Sequence, residues 1–96
     1  MTLDELRKAQ RDTILAIARR RGVTAVRVFG SFARGEARED SDLDLLIQAG
    51  PDTSPFFRGR LLADLEEALG RKVDLVEEPG LHRLLRDQIL AEAVPL

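Results

Sequence analysis

Apolar residues at helical spacing open the chain. Leu3, Leu6, Ile14 and Ile17 fall on one face with Gln10 in the gap, and Thr2-Leu3-Asp4-Glu5 ahead of them has the form of a capping box. Gly22 is a natural stop for that helix. The pattern then changes. Residues 23–29 are rich in β-branched types and predict a first strand, which runs straight into Gly30-Ser31 and a short helix. Residues 36–41 are polar and turn-like. Residues 42–48 alternate, with Leu43, Leu45 and Ile47 on one side and Asp42 and Asp44 on the other, so one strand can serve a core and a cleft together. Gly50-Pro51-Asp52 breaks it. Ser54-Pro55 suits the start of a helix with Phe56, Leu61, Leu62, Leu65 and Leu69 as its buried stripe and Gly70 as its end. Residues 72–77 predict a third strand closed by Pro79-Gly80, and Leu81, Leu84, Leu85 and Ile89 mark a final amphipathic helix.

The predicted order is α-β-α-β-α-β-α, an α/β (α+β) class with one small three-stranded sheet. Such a sheet needs helices packed on one face to be stable, and its other face is expected to stay open as a cleft. Residues 1–96 are expected to form a single domain, since a chain of this length supplies one modest core.

Composition narrows the function. The chain has no cysteine, which excludes disulfides and thiolate metal sites. No apolar run approaches a membrane span and the polar N-terminus is unlike a signal peptide, so a soluble, cytoplasmic protein is expected. Four Phe with neither Trp nor Tyr leave little base-stacking surface, which argues against direct nucleic-acid binding. Net charge is −2 but uneven: residues 1–38 carry nine Lys/Arg against four Asp/Glu, and residues 39–96 carry six against thirteen. Arg19-Arg20-Arg21 concentrates the positive end, either as a solvated helix terminus favoured by the dipole or as a docking surface for an acidic partner.

The chemistry lies in the middle of the chain. Gly30-Ser31-Phe32-Ala33-Arg34-Gly35 can approach a phosphate closely, because glycine removes side-chain bulk and frees backbone N–H groups to point at an anion. A phosphate at the start of the short helix would also meet unpaired N–H groups and the positive dipole end. Asp42 and Asp44, two apart on a strand, present their carboxylates to one side, and Asp74 joins them if Val73 and Leu75 face the core. Three carboxylates on neighbouring strands can hold two divalent cations on a nucleoside triphosphate; without metal they repel, and at least one pKa rises. Asp74 is also placed to take a proton from an attacking hydroxyl. Each residue has a plainer reading: a lone D-x-D is common in strands, Asp74 could cap a loop or pair with Lys72, Arg34 could be surface, and His82 could simply start the last helix. Glu77 and Glu78 are rivals to Asp74, expected to be solvated at the strand end.

Gly30-Ser31-Phe32-Ala33-Arg34-Gly35 followed by Ser41-Asp42-Leu43-Asp44-Leu45 resembles the signature of the polymerase-β-like nucleotidyltransferase superfamily. Length and the Ala33-Arg34-Gly35 variant look like its minimal nucleotidyltransferase branch, usually the antitoxin half of a toxin–antitoxin pair. The similarity runs from about residue 23 to residue 76, with compatible flanking helices. It implies a mixed sheet in the nucleotidyltransferase fold, Mg²⁺ (or Mn²⁺) as metal and ATP as substrate. Gly30 and Ser31 would match the phosphate-binding pair, and Asp42, Asp44 and Asp74 the catalytic, metal-binding acids; Arg34, read from its position alone and not from the resemblance, could contact the β or γ phosphate. The family partner is a HEPN-type ribonuclease toxin, bound as a hetero-oligomer and neutralised by complex formation or by transfer of AMP to a tyrosine.

The chain is expected to lack the extra domain with which larger members grip base and acceptor. A partner that completes the cleft is therefore expected, with the last helix and the arginine-rich end of the first as docking candidates. Two other readings stand beside this: a binding-only antitoxin that occludes its toxin, and a stand-alone transferase acting on a small molecule or RNA.

Overall fold

The computed structural model describes residues 1–78 and 83–96. Helix α1, Leu3–Arg20, begins where Glu5 N donates to Thr2 Oγ1 at 3.2 Å, and buries Leu6, Ile14, Ile17 and Ala18. Strand β1, Val23–Phe29, leads into α2, Gly30–Arg34, which ends at Gly35. Strand β2 is Leu43–Ala49, α3 Phe57–Leu69, β3 Val73–Glu77 and α4 Arg83–Glu92. A fourth strand, β4, Val94–Pro95, follows. The sheet order is β3-β2-β1-β4, with β2–β3 parallel and both pairings of β1 antiparallel. The expected mixed α+β architecture is present.

Three expectations need correction. The sheet has four strands rather than three, because β4 is only two residues long and falls below any sequence periodicity. Tertiary bonds fasten it: Arg7 donates to the carbonyls of Pro95 and Leu96, and Leu96 is buried. A proline is tolerated there because β4 is an edge strand. Phe56 is not in the buried stripe; it precedes α3 and is 74% exposed, while the stripe is Leu61 and Leu65 with Phe57, Leu62 and Leu69 partly buried. Ser54 does not cap α3 through its hydroxyl; its carbonyl instead accepts from Phe57 N. The proposed closing turn Pro79-Gly80, with Leu81 and His82, lies outside the described residues.

The core sits between the sheet and the α1–α3 layer. Leu43, Leu45 and Ile47 from β2 meet Val28, Val73, Leu75, Ile14, Ile17, Leu61 and Leu65. Arg21, just beyond α1, ties that layer together through Asp64 Oδ2 at 2.8 Å. Leu45 lies on a central strand and is fully buried, so Leu45→Ala should cost about 3 kcal/mol of stability through lost burial and a residual cavity. Phe56→Ala should change stability by less than about 0.5 kcal/mol. Urea midpoints of the two variants test both assignments.

The opposite face is less open than the sequence implied. Leu46 is buried on that side. Arg27, its cross-strand neighbour, is ion-paired to Glu78 Oε2 at 2.8 Å, just beyond β3 on the other side of β2. Glu78 and Glu77 are thus half-buried ion-pair partners, of Arg27 and Arg58, rather than solvated acids.

Candidate active site

The glycine at position 30 is required by what lies against it. Strand β1 ends at Phe29 and the chain turns through Gly30 at φ +71°. A Cβ built there would stand 2.0 Å from Asp44 Oδ2 and 2.9 Å from its Cγ, so the Asp44 carboxylate rests directly on the Gly30 backbone. Cross-strand pairing sets the rest: Phe29 is in register with Asp44, and Asp44 with Asp74. Residues paired in this way share a face, which puts Asp44 and Asp74 side by side. Asp42 is exposed in the connection just ahead of β2. That connection is held in place: Arg71 stacks over the buried Phe32 ring at 5.2 Å and donates to Ser41 O at 2.6 Å, next to Asp42.

Electrostatics follow from this crowding. The Asp44 carboxyl is pushed up to about 6. Burial is the main cause, the negative charges of Asp74 and Asp42 add to it, Glu92 contributes less, and Arg34 acts in the other direction. A carboxylate that resists ionisation among other carboxylates is what a divalent cation relieves, and the donors are all hard oxygens of the kind Mg²⁺ or Mn²⁺ takes. Among the described residues no three acids already converge on one ion position. The donor set fits an ion held by one or two carboxylates with substrate phosphates completing its shell, as Mg²⁺ is usually bound. Those one or two carboxylates would come from Asp42, Asp44 and Asp74.

Gly30, Ser31 and Arg34, the phosphate contacts expected from the sequence, all lie on α2, and one partner there had no signal in the sequence. Gly30 N donates to Glu92 Oε1 at 2.8 Å, and Arg34 Nη1 lies 3.3 Å from both Glu92 oxygens. Arg34 Nε also reaches Glu36 at 3.3 Å, and these two carboxylates raise the guanidinium pKa. Helix α2 has five residues, so its dipole is weak and a directed N–H together with Arg34 supplies the positive character. Glu92 ends α4, separated from Gly30 by 62 residues of sequence. No local spacing could have pointed to it; nor to Arg27 or Arg71.

A glycine turn set against acids on a mixed sheet is the arrangement that the resemblance to nucleotidyltransferases implied. The chain belongs to the nucleotidyltransferase domain family, which matches it over residues 11–96. It is 39% identical over 94 residues to MJ0435 of Methanocaldococcus jannaschii, provisionally named a protein adenylyltransferase, covering 98% of this chain and 97% of that one. It is 36% identical over 94 residues to the protein adenylyltransferase MntA of Thermococcus cleftensis, covering 98% and 95%. A solved structure of a provisionally assigned minimal nucleotidyltransferase superposes with TM-score 0.84 at 50% identity, covering 100% of this chain and 97% of that one. The fold also matches that of a chain in a solved complex, described as tri-AMPylated Shewanella oneidensis HEPN toxin in complex with MNT antitoxin, at TM-score 0.70 and 21% identity, covering 93% of this chain and 70% of that one. Among the described residues no helix is long and apolar enough to cross a membrane.

Proposed function

We propose that this chain is an antitoxin that transfers AMP from ATP to a hydroxyl, a tyrosine in the favoured case, of a HEPN-type toxin. The observation that carries the reading is the Asp44 carboxylate lying against the Gly30 backbone, with Asp74 in register beside it on β3 and Asp42 two residues ahead of it. Support for the acceptor comes from relatives named protein adenylyltransferases and from a fold neighbour seen with an AMPylated HEPN toxin.

In this reading Gly30 N–H, the Ser31 region and Arg34 receive the phosphates, and Asp42, Asp44 and Asp74 are the residues that would hold Mg²⁺. The bound ion supplies charge neutralisation on the triphosphate. Asp74, exposed beside Asp44, takes the proton of the acceptor hydroxyl. The hydroxyl oxygen forms its bond to the α-phosphorus of ATP as the bond to the β-phosphate oxygen breaks, and pyrophosphate leaves with that electron pair. Positioning and charge stabilisation do most of the work.

A second reading, occlusion without turnover, is favoured by one observation: Glu92 occupies the donors a phosphate would use. Labelling separates the two. The chain purified with its co-purifying helical protein, Mg²⁺ and α-labelled ATP should place label on that protein. Asp42→Ala should abolish the label while leaving the fold intact. Labelling by Asp42→Ala at the rate of the unaltered chain would remove Asp42 from the site. An unlabelled partner that is nevertheless neutralised would establish occlusion.

A further inference from the structure

We infer that Glu92 is an internal occupant of the phosphate cradle, which nucleotide must displace, so that α4 sets the affinity of the site. This rests on the nucleotidyltransferase reading above and deepens it.

The contacts themselves make the case. Glu92 takes the Gly30 N–H at 2.8 Å and sits 3.3 Å from the Arg34 guanidinium through both oxygens, so one carboxylate engages the two donors a triphosphate needs. Its location is otherwise unfavourable. Glu92 brings a further carboxylate to the Gly30 turn, against which Asp44 already lies with Asp74 in register beside it. A carboxylate stays there only because those donors hold it, and a phosphate offers them more charge and more acceptor oxygens.

The element that delivers Glu92 is suited to letting go. Residues 84–88 of α4 are all exposed, while the chain beyond Glu92 is anchored by β4 pairing with β1 and by Arg7 on the Pro95 and Leu96 carbonyls. Glu92 lies at the junction of a lightly packed helix and a fixed C-terminus. A side-chain swing or a tilt of α4 frees the cradle without disturbing the sheet. Because apparent affinity is reduced by the fraction of molecules with a closed cradle, removing the carboxylate should tighten nucleotide binding about tenfold, the scale of a lost charge-assisted contact.

Calorimetric titration with Mg²⁺ and AMP-PNP tests this in the unaltered chain and in Glu92→Ala, Glu92→Gln and Asp87→Asn. Glu92→Ala should lower Kd about tenfold and Glu92→Gln by a smaller factor. Asp87→Asn removes a charge from the exposed flank of the same helix and should leave Kd unchanged. The Gly30 amide NMR resonance should differ between the unaltered chain and Glu92→Ala without ligand, and converge when both are saturated. Folded Glu92 variants that bind no more tightly than the unaltered chain would overturn the latch and leave the transferase reading standing. So would a Gly30 amide unmoved by saturating nucleotide. A loss of binding on Glu92→Ala would instead make Glu92 a nucleotide or metal contact, which also overturns the latch. Failure of every variant to bind AMP-PNP would sink the transferase reading, and the latch with it.

Discussion

Exchanging Asp44 for asparagine should end AMP transfer and at the same time make the free chain more stable at neutral pH. The folded-state pKa of Asp44 is raised to about 6 from 3.8, so its ionised form is disfavoured by folding. Below about pH 4 the carboxyl is protonated in both states and carries no penalty. Between about 4 and 6 the unfolded chain releases the proton first and stability falls as pH rises. Above about 6 the group is ionised in both states and the full penalty remains. A shift of roughly two units corresponds to about 3 kcal/mol at face value, but Asp44 is only partly buried and solvent screening reduces this to about 1–2 kcal/mol. The neutral amide of asparagine would avoid it. The melting midpoint of Asp44→Asn should therefore lie about 5–10 °C above that of the unaltered chain at about pH 7.5, given the small domain size. At about pH 4 the two should nearly coincide. Equal gains at both pH values, or a loss at the higher one, would show that burial and the neighbouring carboxylates do not disfavour the ionised form of Asp44. The site would then not be one more case in which function is kept at the expense of stability.

Gly30→Ala and Gly35→Ala form the second test, because the two glycines share a backbone conformation and differ in surroundings. Gly30 has φ +71° and Gly35 φ +74°. An alanine at either position bears left-handed strain of about 1 kcal/mol. At Gly35 nothing lies within 4 Å of the new methyl, and strain is the whole cost. At Gly30 the methyl would meet the Asp44 carboxylate, which must leave its rotamer or push the turn away, adding about 1–2 kcal/mol. Gly30→Ala should therefore lose about 2–3 kcal/mol in urea unfolding and all measurable transfer, since Asp44 and the Gly30 N–H move together. Gly35→Ala should lose about 1 kcal/mol and keep transfer within severalfold. Identical behaviour of the two variants would mean that Asp44 does not lie against Gly30.

Much of this molecule could be read from local pattern, and the failures are instructive. The helical stride of Leu6, Ile14 and Ile17 and the alternation of Leu43, Leu45 and Ile47 record which faces are buried, because a whole element turns its apolar side to one core. Phe56 misled because it stands next to the residue that is partly buried, Phe57, and a small shift in where the helix starts moves a single aromatic ring into solvent. The apolar residues of α4 are a different case. Leu84 and Leu85 have amphipathic spacing yet are 82% and 54% exposed, because spacing states that a face is apolar without stating that anything covers it.

By itself the sequence determined the order of the main elements, the turn at Gly30 and the strand that carries Asp44, since each follows from backbone preference and periodicity within a few residues. Only the tertiary structure decided that β4 completes the sheet, that Arg27 bridges to Glu78 across 51 residues, and that Glu92 rests on Gly30 and Arg34. Those contacts join charged or edge groups far apart in the chain. Thirteen acids and six bases share residues 39–96 alone, and nothing in their order says which will meet until the core has folded and fixed the distances between them.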